Sequence, residues 1–138
     1  MSNASADLPR PLTEFFDAVN ACDFDALANC LSEDVSYQFL VPHPPVVGRE
    51  AVIEALRASL TDADRVSWEL LGHLAAGPLA FVERVDRFWF AGHEAAIDVV
   101  GVFELADDTV TAVRDYADLD TWRQRKAAAR NAGRPAGP

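Results

Sequence analysis

The chain has 138 residues, half of them hydrophobic, and a formal net charge of −10. That length and apolar content suit one domain with a packed core and exclude a disordered chain. The acidic balance excludes a nucleic-acid backbone or an anionic membrane as the main partner.

Met1 to Arg10 is polar and lacks an apolar h-region, so no secretory signal is expected. Leu12, Phe15, Phe16 and Val19 then fall at i, i+3, i+4 and i+7, which predicts a helix with one apolar stripe, capped by Asp7 or Thr13. Asp23 suits the cap of a second short helix that turns Phe24, Leu27, Ala28 and Leu31 inward. Cys22 and Cys30 form no CxxC pair and read as small buried hydrophobes rather than a disulfide framework. Val35 to Leu40 reads as a strand with Val35, Tyr37 and Phe39 on one face. Val41-Pro42-His43-Pro44-Pro45 cannot be regular structure and predicts a stiff loop at the rim of a pocket. Gly48 ends the loop, and Val52, Ile53, Leu56 and Leu60 make a third helix. Val66 to Ala75 is a strand. Gly77-Pro78 then turns the chain into three more strands, Ala80 to Phe90, Ala95 to Leu105 and Thr109 to Tyr116. Asp118 or Asp120 caps a last helix through Trp122. Five basic residues and no acid follow Thr121, a pattern of a solvated helix end or a weak phosphate-binding tail. One domain spans 1–138, with ends 1–9 and 127–138 expected to be disordered. No apolar run is long enough to span a membrane, and a cytoplasmic location follows.

Helices first and strands afterwards indicate an α+β layer, one antiparallel sheet with helices on one face and a ligand cavity between the layers. If Gly92-His93 form a two-residue hairpin loop, Arg87 lies opposite Asp98, Asp86 opposite Val99 and Arg84 opposite Gly101. A three-residue second loop places Asp115 opposite Val99 as well. Arg84, Asp86, Val99, Gly101, Val113 and Asp115 then share one face. The two aspartates share a row two strands apart, about 10 Å between backbones. Gly101 leaves room beneath them.

Buried charges on a strand are costly unless paired. Two carboxylates bridged by Arg84 can be a structural salt-bridge network. They can also be an acid/base pair, because neighbouring carboxylates drive their pKa values apart. Tyr37 reads either as packing or as a donor that positions a water or a substrate oxygen. Phe39, Trp68, Phe88 and Phe90 read as core or pocket wall. His43, His73 and His93 show no metal-ligand spacing, and neither a metal nor a cofactor is expected.

Glu83-Arg84-Val85-Asp86, Gly101-Val102-Phe103-Glu104-Leu105 and Arg114-Asp115-Tyr116-Ala117-Asp118-Leu119 resemble the limonene-1,2-epoxide hydrolase family. That family lies within the cone-shaped α+β group of nuclear transport factor 2, ketosteroid isomerases and SnoaL-type polyketide cyclases. The resemblance covers about Leu12 to Trp122. It implies a curved, mixed, mainly antiparallel sheet with helices on its concave face. It implies a catalytic set of Asp86, Asp115, Arg84 and Tyr37; the shared strand face and the aromatic residues read above then put Phe39, Phe88, Val99, Gly101, Val113 and Trp68 around the substrate. The implied chemistry is one-step addition of water to a small apolar epoxide. Asp115 is the base, Tyr37 helps hold the water, Asp86 is the acid and Arg84 bridges the two. The family's asparagine two residues after the tyrosine is Phe39 here, and the tryptophan it often has two residues before the second aspartate is Val113. A ketosteroid isomerase-like or cyclase-like enzyme and a non-catalytic ligand-binding module are the alternatives. The opposite sheet face, with Glu83, Arg87, Asp98, Val100 and Val102, suits a homodimer contact, and the family is often dimeric.

Overall fold

The computed structural model describes residues 7–133. Ten elements follow in chain order: α1 Arg10–Ala21, α2 Phe24–Cys30, β1 Leu31–Gln38, β2 Val46–Val47, α3 Arg49–Thr61, β3 Arg65–Ala76, β4 Leu79–Phe90, β5 His93–Ala106, β6 Thr109–Tyr116 and α4 Leu119–Ala132. The fold class is α+β, as the sequence predicts, and the sheet order is β2-β1-β6-β5-β4-β3. All neighbours are antiparallel except β1 and β6. No described helix is long and apolar enough to cross a membrane.

The helix faces follow the apolar spacing. Leu12, Phe15, Phe16 and Val19 of α1 are buried, as are Val52, Ile53, Leu56 and Leu60 of α3. They meet Ala80, Val82, Phe88 and Phe90 of β4 in one core. Asp23 caps α2 by accepting from the N–H of Ala26 at 3.0 Å, and Asp118 caps α4 by accepting from Thr121 at 3.1 Å. The expected cap on α1 is absent: Pro9 holds that position, and proline fits the start of a helix because it has no N–H to satisfy.

The register differs from the expected one, but by two residues. The first hairpin turns at Ala91-Gly92, both in the left-handed region, so Arg84 faces Val99, Asp86 faces Ile97 and Arg87 faces Ala96. The turn is pinned there because the Ala91 N–H donates to Asp64 Oδ2 at 2.6 Å. In the second hairpin Asp107-Asp108 form a two-residue loop, and a bulge between Glu104 and Leu105 takes up one more residue. Asp115 therefore faces Gly101, not Val99. An even shift keeps every side chain on its expected face. The two aspartates nevertheless do not share a row, and Arg84 lies between their rows.

The sequence predicts disorder beyond Ala127, yet α4 continues to Ala132. Lys126 and Arg130 both reach Asp62, at 3.0 and 2.6 Å, and Ala129 is buried. The paired bases hold the Asp62 carboxyl below its ordinary range. The helix also covers an open sheet edge. β6 stops opposite Val100, which leaves the first half of β5 without a strand on that side. There Arg125 donates to the Ala96 carbonyl at 2.9 Å. Residues 1–6 and 134–138, also expected to be disordered, lie outside the described residues.

Candidate active site

Arg84 is the centre of the buried polar cluster. Its guanidinium forks onto Asp86, with Nε to Oδ1 at 2.7 Å and Nη2 to Oδ2 at 3.1 Å. It forks a second time onto Asp115, with Nη1 to Oδ1 at 3.1 Å and Nη2 to Oδ2 at 3.0 Å. The Tyr37 hydroxyl donates to the same Oδ2 of Asp115 at 2.7 Å. Arg84, Asp86 and Asp115 are the buried charged residues among those described, at 1%, 4% and 5% exposure. Trp68 lies under the guanidinium, 4.6 Å from ring centre to Cζ, with Phe16 at 5.7 Å.

Gly101 makes this geometry possible. Arg84 stands on β4 and Asp115 on β6, so the ion pair must cross β5. A Cβ at residue 101 would sit 2.6 Å from Arg84 Nη1, 2.9 Å from Phe103 Cε1 and 3.0 Å from Asp115 Oδ1. Only a residue without a side chain leaves the crossing open. Gly101→Ala is therefore expected to cost about 1–3 kcal/mol in chemical denaturation, the usual range for overpacking. An unchanged melt would show that the crossing has slack.

Two acids and one guanidinium carry a surplus negative charge if both acids ionise. Burial pushes the Asp86 carboxyl up to about 6, against the pull of Arg84 and with a further push from Asp115. Burial works to lower Arg84, but Asp115 and Asp86 outweigh it and hold the guanidinium charged. Burial and the Asp115 charge raise Tyr37 well above its ordinary value, so it remains a phenol that donates. Chemically, the cluster pairs an acid that can hold a proton near neutrality with a carboxylate oriented by three donors.

Both acids open onto one cavity of about 140 Å³. Its walls are Trp68 from the edge strand β3, Phe88 from β4, Ile97 and Val99 from β5, and Phe39 and Leu40 from the rim loop. Leu56 and Ser59 of α3 and Trp122 of α4 close it. Leu40 has a φ of 105°, unusual for a branched side chain, where the rim turns. No cluster of three or more metal-ligating side chains occurs among the described residues. A larger groove between α1, α2 and the β5–β6 turn is lined by Glu14, Asp17 and Asp107 among others and contains none of these groups.

Residues 12–113 match the SnoaL-like domain. The chain belongs to the SnoaL-like family. Three solved structures resemble this SnoaL-like chain closely. An LEH-like epoxide hydrolase of M. tuberculosis is 26% identical with a TM-score of 0.74, over 90% of this chain and 92% of that one. A protein described as a polyketide cyclase, from Xanthomonas campestris pv. campestris, is 22% identical with a TM-score of 0.73, over 84% and 93%. A hypothetical protein of Catenulispora acidiphila with a ketosteroid isomerase-like fold, solved with trimethylamine, is 17% identical with a TM-score of 0.78, over 88% and 95%. The last two establish the fold alone, the cone-shaped type of nuclear transport factor 2.

Within the SnoaL-like fold, Arg84, Asp86, Asp115 and Tyr37 come together as one hydrogen-bonded set. Of the six residues expected around the substrate, Phe39, Phe88, Val99 and Trp68 line the cavity. Gly101 and Val113 do not. Gly101 lies beneath the ion pair, and Val113 is fully buried between Tyr37 of β1 and Phe103 of β5. Phe39 stacks on the Tyr37 ring at 3.9 Å. Leu56, Ser59, Ile97 and Trp122 also line the cavity, and sequence reasoning does not place them there. Leu56 carries an inward signal in its helical spacing, but periodicity does not say which helix closes a cavity.

Proposed function

We propose that this chain is an enzyme that adds water to a small epoxide and forms a vicinal diol, without a cofactor. The observation that carries the proposal is the double fork of Arg84, which holds two carboxyl groups at one cavity while burial keeps Asp86 protonatable near pH 6. The likeness to the M. tuberculosis LEH-like epoxide hydrolase supports the same reading.

In this mechanism Asp115 takes a proton from a water as its oxygen attacks one ring carbon. The C–O bond breaks, and the Asp86 proton goes to the departing epoxide oxygen. Both transfers are needed together, because neither an unactivated water nor an unprotonated leaving oxygen is adequate near neutrality. Asp115 ends protonated and Asp86 ionised, and proton exchange through the cavity restores them. Tyr37 orients Asp115. Phe39 supplies no polar group, so the water is held by fewer donors than in the family it resembles. The observations favour hydrolysis over an isomerase or cyclase reaction, because Tyr37 spends its hydroxyl on Asp115 and does not line the cavity.

Diol formation from a panel of ring-sized epoxides with and without a second oxygen, together with terpene, styrene and fatty epoxides, tests the proposal, and no diol from any of them would refute it. The acid role also sets a pH profile. Asp86 must be protonated to act, so kcat/KM for the epoxide is expected to fall about tenfold per pH unit above about pH 6. Flat activity from pH 5 to 9 would remove Asp86 as the acid.

The proposal includes a cytoplasmic homodimer. Leu74, Phe81, Val100 and Tyr116 are exposed on the sheet face opposite the cavity, an apolar patch that a second copy can cover. Light scattering at micromolar concentration should give twice the chain mass, and a monomer mass would contradict it.

A further inference from the structure

Trp68 is held in place by more than packing. It stands on the edge strand β3, where its backbone N–H and C=O face no other strand. The Asn20 side chain of α1 meets both, accepting from the Trp68 N–H at 2.7 Å and donating to its C=O at 3.1 Å. Trp68 is only 5% exposed, faces Asp86 across the strand pair and has the Arg84 guanidinium over its ring, 4.6 Å from the centroid. Its ring N–H lies in the ring plane and so cannot be used by the group stacked on its face. That N–H is buried and has no hydrogen-bond partner among the described residues. Buried donors without partners are rare in folded chains and unfavourable. The other such atom, Nε2 of His73, belongs to a residue that does not line the cavity.

We infer that the Trp68 indole N–H is a substrate-binding donor, and that the substrate is a small epoxide carrying a second oxygen as acceptor. The inference rests on the hydrolase reading above and narrows it. Asp86 and Asp115 are occupied with the epoxide oxygen and the water, so the Trp68 donor is free for a third oxygen. A cavity of 140 Å³ is close to the ~150 Å³ that accommodates benzene. The substrate core is therefore about one six-membered ring. A hydrocarbon epoxide of that size leaves the indole N–H unmet, whereas one ether, carbonyl or hydroxyl oxygen satisfies it.

The test uses an isosteric pair, 3,4-epoxytetrahydropyran and cyclohexene oxide, which differ by one ring oxygen. The native chain is expected to prefer the oxygenated epoxide about tenfold in kcat/KM, mostly through KM, the effect of one buried hydrogen bond. In Trp68→Phe, which keeps an aromatic face for Arg84, that preference falls to about one, read as the ratio of the two epoxides so that any loss of turnover common to both cancels. A preference missing from the native chain, or surviving in the variant, overturns the inference. A second readout needs no turnover and no variant. Titration with cyclohexanone should move the assigned Trp68 indole N–H resonance downfield, and titration with methylenecyclohexane should not. An unmoved resonance overturns the inference. If the resonance moves but no epoxide opens, the donor stands and the hydrolase reading falls. If both epoxides open alike and the resonance stays, the reverse holds.

Discussion

Arg84→Met is expected to destabilise the chain by about 3–5 kcal/mol, because it leaves two buried carboxyl groups without their counter-charge. Methionine fills the volume between Trp68 and Phe16, so lost packing is minor. The pH dependence identifies the cause. Without Arg84, the pull that opposes burial at Asp86 is gone, so its folded carboxyl rises further above its unfolded value. The folded state then binds more protons, and stability falls as pH rises through the raised value. The variant's deficit should be larger at pH 8 than at pH 5 in urea melts. A deficit independent of pH would mean that packing, not charge, is what Arg84 supplies. Arg84→Lys should rescue little, since an ammonium cannot fork onto two carboxylates.

Asp115→Asn is expected to abolish diol formation, by about a thousandfold or more, while leaving stability within about 1 kcal/mol. The change removes the base. It also removes the charge that helps to raise Asp86, so Arg84 faces one carboxylate and pulls that carboxyl down. Acid and base are lost together from one substitution. Stability is spared because the surplus buried charge has gone. Asp86→Asn removes the acid alone and should cost about a hundredfold to a thousandfold. Separate losses of activity in these variants, with folding intact, would distinguish an acid/base pair from a structural salt bridge. If either variant turns over epoxide like the native chain, the carboxyl group concerned only holds the sheet together.

Much of this site is legible in the amino-acid sequence, for a reason that lies in strand geometry. Charged residues two apart on an apolar strand, as Arg84 and Asp86 are, must point to one side and find partners there. The faces survive a wrong register because each strand pairing is displaced by an even number of residues. Ala91 is not an obvious turn residue, since a left-handed alanine is unfavourable unless something fixes it. The Asp64 carboxylate that fixes it lies 27 residues away in sequence. The bulge at Glu104 and Leu105 is equally silent, though without it Asp115 would face the opposite side of the sheet. Tertiary contacts explain the other differences. The Ala-rich end of α4 reads as disordered until Asp62 is placed beside Lys126 and Arg130. Trp122 reaches the cavity only because α4 folds back over the open edge of β5. The roles expected of Gly101 and Val113 fail for a simpler reason. Sharing a face does not mean sharing a cavity, and Arg84 covers the ground above Gly101.

The decisive measurement is a single turnover with the protein in excess over a ring-sized epoxide, in water enriched in heavy oxygen. If Asp115 activates water and Asp86 protonates the ring oxygen, the first diol formed carries the heavy isotope at the enrichment of the solvent. A first-turnover diol with ordinary oxygen taken from a carboxylate, or no diol at all, would contradict the mechanism.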